Sequence, residues 1–126
     1  MKPNADDLIV YIKSFIKKTR ERLERGEIAL VMIYDDADPR SYLQFKHFKN
    51  GKPEDVPLID QILPVEWRSD FGQRFIRESL EYSEKMNKTE LRIDFTPTFI
   101  NFKTHEIVLV GVHVLKDLKE VLRNMT

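Results

Sequence analysis

The sequence predicts an α+β fold in which helices pack on a mainly antiparallel sheet of five strands. Three observations support this class. Several short segments alternate apolar and polar residues, as half-buried antiparallel strands do. Other segments place apolar residues three or four positions apart, as amphipathic helices do. Strand-like segments follow one another along the chain instead of alternating strictly with helices, which favours α+β over a parallel α/β sheet.

The composition limits the class of protein. A chain of 126 residues, 41% of them hydrophobic, is expected to form one domain over 1–126. Its 21 Lys and Arg residues balance its 21 Asp and Glu residues, so we expect no attraction of the whole molecule to nucleic acid or to an anionic membrane. The absence of cysteine excludes disulfides and thiol chemistry. No segment has the pattern of a signal peptide or a transmembrane helix, which predicts a cytoplasmic protein without membrane contact.

The N-terminal part predicts a helix followed by a hairpin. Asn4 can cap the start of the helix, and Gly26 lies just past its end. One stripe of this helix is apolar apart from a threonine, and it consists of Leu8, Ile12, Phe15, Ile16, Thr19 and Leu23. Residues 28–34 are a continuous run rich in β-branched side chains, which predicts a central strand. The alternating segment 41–48 predicts a second strand, joined to the first through a polar loop at 35–40.

The middle of the chain predicts a connector and a second long helix. Three prolines and a short apolar stripe in segment 52–64 predict one or two helical turns lying against the body. Residues 66–86 then have helical spacing. Large aromatic side chains step along one stripe of this helix: Trp67, Phe71, Phe75 and Tyr82. Such a stripe is typical of a core, and the alternative is an interface, because aromatic residues are enriched where proteins bind each other.

The C-terminal part predicts three strands and a final helix. Residues 90–95 alternate apolar and charged side chains, and 99–102 resume the pattern after a Thr-Pro break. Residues 107–110 are apolar throughout, which predicts a strand covered on both faces. Residues 115–124 have the spacing of an amphipathic helix.

The loop after the first strand is the strongest candidate site. Asp35, Asp36 and Asp38 place three carboxylates within four residues, and oxygen ligands of this kind suit Mg²⁺ or Ca²⁺. The loop lacks the glycine and the distal acid of a calcium-binding loop. The alternative is a polar turn, because Asp is a common turn former.

Other chemical signatures are absent from the sequence. The three histidines, His47, His105 and His113, have no zinc-binding spacing, although either His47 or His113 could act as a general base. The four glycines are isolated, so no phosphate-binding loop is present and no cofactor is predicted. The first helix carries a basic face made of Lys13, Lys17, Lys18, Arg20, Arg22 and Arg25. This face could contact nucleic acid, but interspersed glutamates favour a salt-bridged exposed surface.

The predicted order of elements is helix, two strands, helix, three strands and helix. This order resembles that of roadblock modules, which dimerise and regulate small GTPases, and profilin-like and PAS-like folds use similar orders. The resemblance covers most of the chain and rests on element order, so it implies a binding module and no particular site residue.

The expected function is therefore a small cytoplasmic interaction or regulatory module without catalytic activity, most simply a homodimer. Its two-fold interface would be built from a sheet edge or from the aromatic helix. The alternatives are a phosphodiester-cleaving enzyme dependent on Mg²⁺ or Mn²⁺ and centred on Asp35, Asp36, Asp38 and one histidine, and a weak nucleic-acid binder using the first helix.

Overall fold

The computed structural model describes residues 5–85 and 96–125, with side chains from residue 7 onward. These residues form five helices and four strands, with a single 3₁₀ turn at Pro53–Asp55. The helices are α1 (Ala5–Glu24), α2 (Pro39–Lys49), α3 (Val56–Ile59), α4 (Asp70–Lys85) and α5 (Leu115–Asn124). The strands are β1 (Leu30–Tyr34), β2 (Ile62–Glu66), β3 (Thr98–Asn101) and β4 (Ile107–Val110).

The four described strands form one mixed sheet in the order β2-β1-β3-β4. Strands β1 and β2 are parallel, with Leu30 beside Ile62. Strand β3 runs antiparallel to β1 and to β4. The α+β class is confirmed, but the sheet is mixed instead of mainly antiparallel, and it has four described strands instead of five. The predicted strand at 90–95 lies outside the described residues.

Helices cover both faces of this sheet. On one face, α1, α2 and α5 pack over β1 through Phe15, Phe45 and Leu118. On the other face, α4 packs through Phe75 against β1 and β2. Every residue of β1 is buried, so the prediction of a central strand there is confirmed. The three predicted helices that correspond to α1, α4 and α5 are also confirmed, although α4 begins four residues later than expected.

Segment 41–48 was wrongly predicted as a strand, because it lies inside α2. Asp38 caps this helix by accepting a hydrogen bond from the backbone N–H of Arg40 (3.0 Å), and Pro39 occupies its first turn. The buried residues of the helix recur at helical spacing: Ser41, Gln44, Phe45 and Phe48. The alternation at Leu43 and Phe45 was misleading because Leu43 is exposed and only Phe45 enters the core.

Strand β2 was missed because Pro64 interrupts it. Proline removes a ladder N–H and is therefore tolerated in edge strands, and β2 lies at an edge of the sheet formed by the described strands. The predicted short helical turns before it are confirmed as the 3₁₀ turn and α3. Strands β1 and β2 are parallel, and parallel neighbours need a crossover connection, which here contains α2. The predicted hairpin after β1 is therefore wrong.

The burial of β4 also differs from the prediction. This strand lies at the other edge of the described sheet, and its residues are half-buried or exposed instead of covered on both faces. The element order on which the resemblance to roadblock modules rests is likewise not the observed one, since α2 replaces the second strand and β2 precedes α4.

Candidate functional site

The acidic loop lies where the parallel pair of strands ends. Asp35 follows β1, and Trp67 follows β2, so the parallel direction brings the two loops to one end of the sheet. Strand β1 has parallel β2 on one side and antiparallel β3 on the other, so its carboxyl end lies beside the carboxyl end of β2 and the start of β3.

Asp38 is held by three kinds of hydrogen bond. Its carboxylate accepts from the guanidinium of Arg40 (Nη2 to Oδ2, 2.9 Å) and from the Arg40 backbone N–H. It also accepts from the hydroxyl of Thr96, which precedes β3 and is joined to Pro97 by a cis peptide. The hydrogen bonds from Arg40 and then from Thr96 lower the pKa of Asp38 to about 2.

Asp35 and Glu66 share one arginine. Arg68 donates to Asp35 Oδ1 (2.8 Å) and to Glu66 Oε1 (3.0 Å), which ties the loop after β1 to the loop after β2. Glu66 Oε2 also accepts from the backbone N–H of Asp36 (2.7 Å). Burial opposes ionisation of Glu66, but the hydrogen bonds from Arg68 and from backbone N–H groups outweigh burial and lower its pKa.

Asp36 differs from its two neighbours because no arginine hydrogen-bonds to its carboxylate within the described residues. Burial and then the negative charge of Glu66 raise its pKa. Beneath it, burial and then the charges of Asp36 and Glu66 raise the pKa of Tyr34 to about 12. The unbalanced negative charge of the site is therefore located at Asp36.

The predicted metal site is not assembled in the described part of the chain, where no three acidic or histidine side chains are placed to hold a metal ion. Asp35 and Asp38 instead bind arginine side chains. The metal hypothesis for Asp35, Asp36 and Asp38 remains a prediction, and the arrangement favours the alternative of a polar, ion-paired turn.

A groove of about 200 Å³ opens beside Asp36, between α1 and α2. Ile9, Ile12 and Ile16 of α1 line one wall, and Tyr42 and Phe45 of α2 line the other. A second, wider groove of about 500 Å³ lies on the other side of Tyr34, between α1 and the start of α4. Charged side chains of both signs line this second groove: Arg20, Glu24, Glu66, Asp70 and Arg74.

The histidines lie on different elements. His47 lies on α2, and His113 lies between β4 and α5. His105 is half-buried, packs on Phe75 at 4.7 Å between ring centroids, and contacts the hydroxyl of Ser79 at 2.9 Å. Within the described residues, none of these contacts places a histidine beside the acidic loop. They therefore give no support to the histidine that the metal-dependent enzyme alternative requires there.

The basic face of α1 is partly neutralised by acids from other elements. Lys18 and Arg22 both pair with the buried carboxylate of Asp60, at 3.0 and 3.3 Å. Arg22 and Arg25 also pair with Glu27. These contacts favour the salt-bridged surface over the nucleic-acid footprint, which remains a prediction.

The aromatic stripe is divided between core and surface. Phe75 is buried and stacks on Phe71 and Phe102, with 6.2 Å between ring centroids in each pair. Trp67 precedes α4, is 39% exposed and has the Arg68 guanidinium 5.3 Å from its ring centroid. Tyr82 is half-buried beside His105. The interface hypothesis for this stripe stays a prediction, and of its members Trp67 offers the most exposed surface.

Gln44 is a structural residue that sequence reasoning did not identify. Its amide is fully buried, donates to the carbonyl of His113 (3.0 Å) and accepts from the backbone N–H of His113 (2.8 Å). These two bonds tie α2 to the segment that joins β4 to α5. A buried glutamine on an amphipathic helix has no local signal for a partner 69 positions away.

No family model matches the chain, and no curated protein or solved structure is significantly similar to it. Within residues 5–85 and 96–125, no helix combines the length and the hydrophobicity needed to span a lipid bilayer.

Proposed function

We propose that this chain is a small cytoplasmic interaction module that forms a homodimer by pairing of its β4 strands and has no catalytic chemistry of its own. The observation that supports the proposal is the composition and position of β4. Its four residues, Ile107–Val110, are all aliphatic, yet the strand lies at an edge of the described sheet.

The two edges of the sheet are treated differently. At the β2 edge, Pro64 removes a backbone donor and α1 packs alongside, and both features discourage pairing with another chain. Strand β4 contains neither proline nor a charged residue. Natural edge strands often contain such residues, and although β4 is short and its pairing with β3 has a register shift, its wholly aliphatic sequence supports a role in binding another chain.

A second copy of the chain suits this edge. Antiparallel pairing about a two-fold axis places the same strand opposite itself, so aliphatic side chains meet aliphatic side chains. The formal net charge of zero means that two copies do not repel each other as whole molecules. Val110 and Val114, 44% and 50% exposed, add apolar surface at the end of the strand.

The test replaces Val110 with lysine and compares molar masses by light scattering over a range of protein concentrations. We expect the wild-type protein to have the mass of a dimer and Val110→Lys to have the mass of a monomer, because a charge on an edge strand opposes pairing. Circular dichroism would verify that the variant is folded.

Val10→Lys is a matched control. It makes the same substitution at a 67% exposed valine of α1, away from β4, and is expected to leave the dimer intact. A monomeric wild-type protein at high concentration would refute the proposal. Dissociation of both variants to the same extent would show that the effect is not specific to β4.

A further inference from the structure

The groove between α1 and α2 has the features of a small-ligand site, and it is separate from the proposed dimer edge. It lies at the carboxyl end of β1, where Tyr34, Asp35 and Asp36 line it. Its volume of about 200 Å³ is below that of drug-sized pockets, so it suits a ligand of only a few heavy atoms.

The walls of the groove are apolar. Ile12, Ile16 and Phe45 form its inner part. Ile9 and Tyr42 lie at its opening and are 44% and 37% exposed, so the apolar lining continues to the surface. Burying a hydrocarbon chain against these walls would remove apolar surface from water on both partners.

The polar end of the groove is negative. Asp35, Asp36 and Glu66 lie there against the single guanidinium of Arg68, which hydrogen-bonds to Asp35 and Glu66. Lys13 also lines the groove from α1, and among these five side chains of the described chain one negative charge is left over after the two cations are counted. That charge is on Asp36, whose carboxylate receives no arginine hydrogen bond among the described residues. A cation is therefore the complementary group at this end.

We propose that the groove binds a small primary amine with a hydrocarbon body, with the ammonium group at Asp36 and the hydrocarbon between α1 and α2. The hydrocarbon contributes affinity through burial against the isoleucines of α1. The ammonium group contributes selectivity through its charge pair with Asp36, and because Asp36 is exposed to water this contribution is that of a surface ion pair.

The test uses three probes of the same chain length: hexylamine, hexanol and hexanoate. Each is titrated into uniformly ¹⁵N-labelled protein at pH 7, and backbone amide shifts are followed by NMR. Hexylamine is expected to shift amides of Ile9, Ile12 and Tyr42 in a saturable manner, and to bind about two- to fivefold more tightly than hexanol, as expected for an exposed ion pair. Hexanoate is expected to bind most weakly, because Asp36 repels it.

Asp36→Asn preserves the shape of the side chain and removes its charge. We expect it to weaken hexylamine binding about two- to fivefold and to leave hexanol binding unchanged. Glu120→Gln, on the exposed surface of α5, is the matched control and is expected to change neither.

Each of the following outcomes would overturn the proposal. Equal binding of hexylamine and hexanol, or an unchanged affinity in Asp36→Asn, would refute recognition of a cation by Asp36. Preferential binding of hexanoate would assign the groove to Lys13 and an anion instead. The absence of saturable shifts for all three probes, or shifts confined to residues outside the groove, would refute the site. The mass measurement on Val110→Lys is unaffected by any of these results, so the dimer and the ligand site fail or succeed separately.

Discussion

Replacement of Gln44 by leucine tests how α2 holds the end of β4 in place. The Gln44 side chain is fully buried, and its amide makes two hydrogen bonds to the backbone of His113 at 2.8 and 3.0 Å. Leucine has a similar volume but neither donates nor accepts hydrogen bonds. The substitution therefore leaves the N–H and the carbonyl of His113 without their partner while it largely preserves the packing of α2 against the sheet.

The expected cost follows from these two backbone groups. Leaving a buried donor or acceptor unpaired costs about 1–3 kcal/mol, so the pair costs about 2–6 kcal/mol. Additional burial of apolar surface by leucine offsets part of this loss, and we expect a net decrease of about 2–4 kcal/mol in the free energy of unfolding. Domains of this kind have a total stability of about 5–15 kcal/mol, so the decrease is a large fraction of the total.

Urea denaturation monitored by circular dichroism measures this change at one fixed protein concentration, since dimerisation makes stability depend on concentration. Gln73→Leu is the control, because the Gln73 amide hydrogen-bonds to the Trp67 carbonyl at an exposed position. We expect the control to change stability by less than about 0.5 kcal/mol. If Gln44→Leu cost under about 1 kcal/mol, or no more than the control, the clamp on His113 would not stabilise the fold as argued.

Gln44→Glu adds a pH-dependent version of the same test. An ionised glutamate accepts from the His113 N–H but cannot donate to its carbonyl, whereas the protonated acid can do both. Burial raises the folded pKa of this glutamate above its unfolded value of about 4.3. The stability contributed by the acid is then fully present below the unfolded pKa and is lost as pH rises through the folded pKa. A stability difference from the wild type that did not change with pH would contradict this account.

Three further predictions concern the acidic loop and the helix that follows β2. Gly72→Ala is expected to destabilise the protein by about 1–3 kcal/mol despite the higher helix propensity of alanine, because the new Cβ would clash with the carbonyl oxygen of Glu66. Urea denaturation measures this change, and an unchanged midpoint would contradict it. Asp38→Asn keeps the helix cap but removes the charge that pairs with Arg40, so we expect a small loss of stability, limited by solvent screening of this exposed pair. The folded pKa of Asp38, about 2, lies below its unfolded value, so the extra stability of the wild type over the variant is fully present above the unfolded pKa and is lost as pH falls through the folded pKa. A stability difference that stayed constant down to pH 2 would be evidence against the pairing. Calorimetric titration with Mg²⁺, Mn²⁺ and Ca²⁺ is expected to give no binding heat because arginines occupy Asp35 and Asp38, and saturable binding abolished by Asp38→Asn would restore the metal-site hypothesis.

Hydrophobic periodicity was sufficient to predict an element where the burial of that element alone determines the spacing of its apolar residues. The long apolar stripe of α1, the continuous apolar run of β1 and the spacing of α5 each predicted the observed element. The position of the acidic loop after β1 was also predictable, because it follows directly from the end of that strand. The partners of the loop were not predictable, since Glu66, Arg68 and Thr96 reach Asp36, Asp35 and Asp38 from 30, 33 and 58 positions away.

The failures occurred where tertiary context decides between patterns that are locally similar. Segment 41–48 has both an alternation and a helical stripe, and the capping by Asp38 together with the depth of Phe45 selects the helix. Strand β2 contains a proline, and only its edge position beside β1 makes that proline acceptable. The aliphatic run of β4 resembles a buried strand, but the order of strands in the sheet places it at an edge.

The sequence by itself determined that this is a cysteine-free α+β protein without net charge, and that three carboxylates follow its central strand, because these properties depend on composition and on short-range periodicity. The tertiary structure decided that arginines neutralise two of those carboxylates, that Asp36 faces an apolar groove, and that the most apolar short strand is left at an edge. These features depend on strand order and on contacts between distant segments, and the free energy of such contacts cannot be read from the residues on either side of a position.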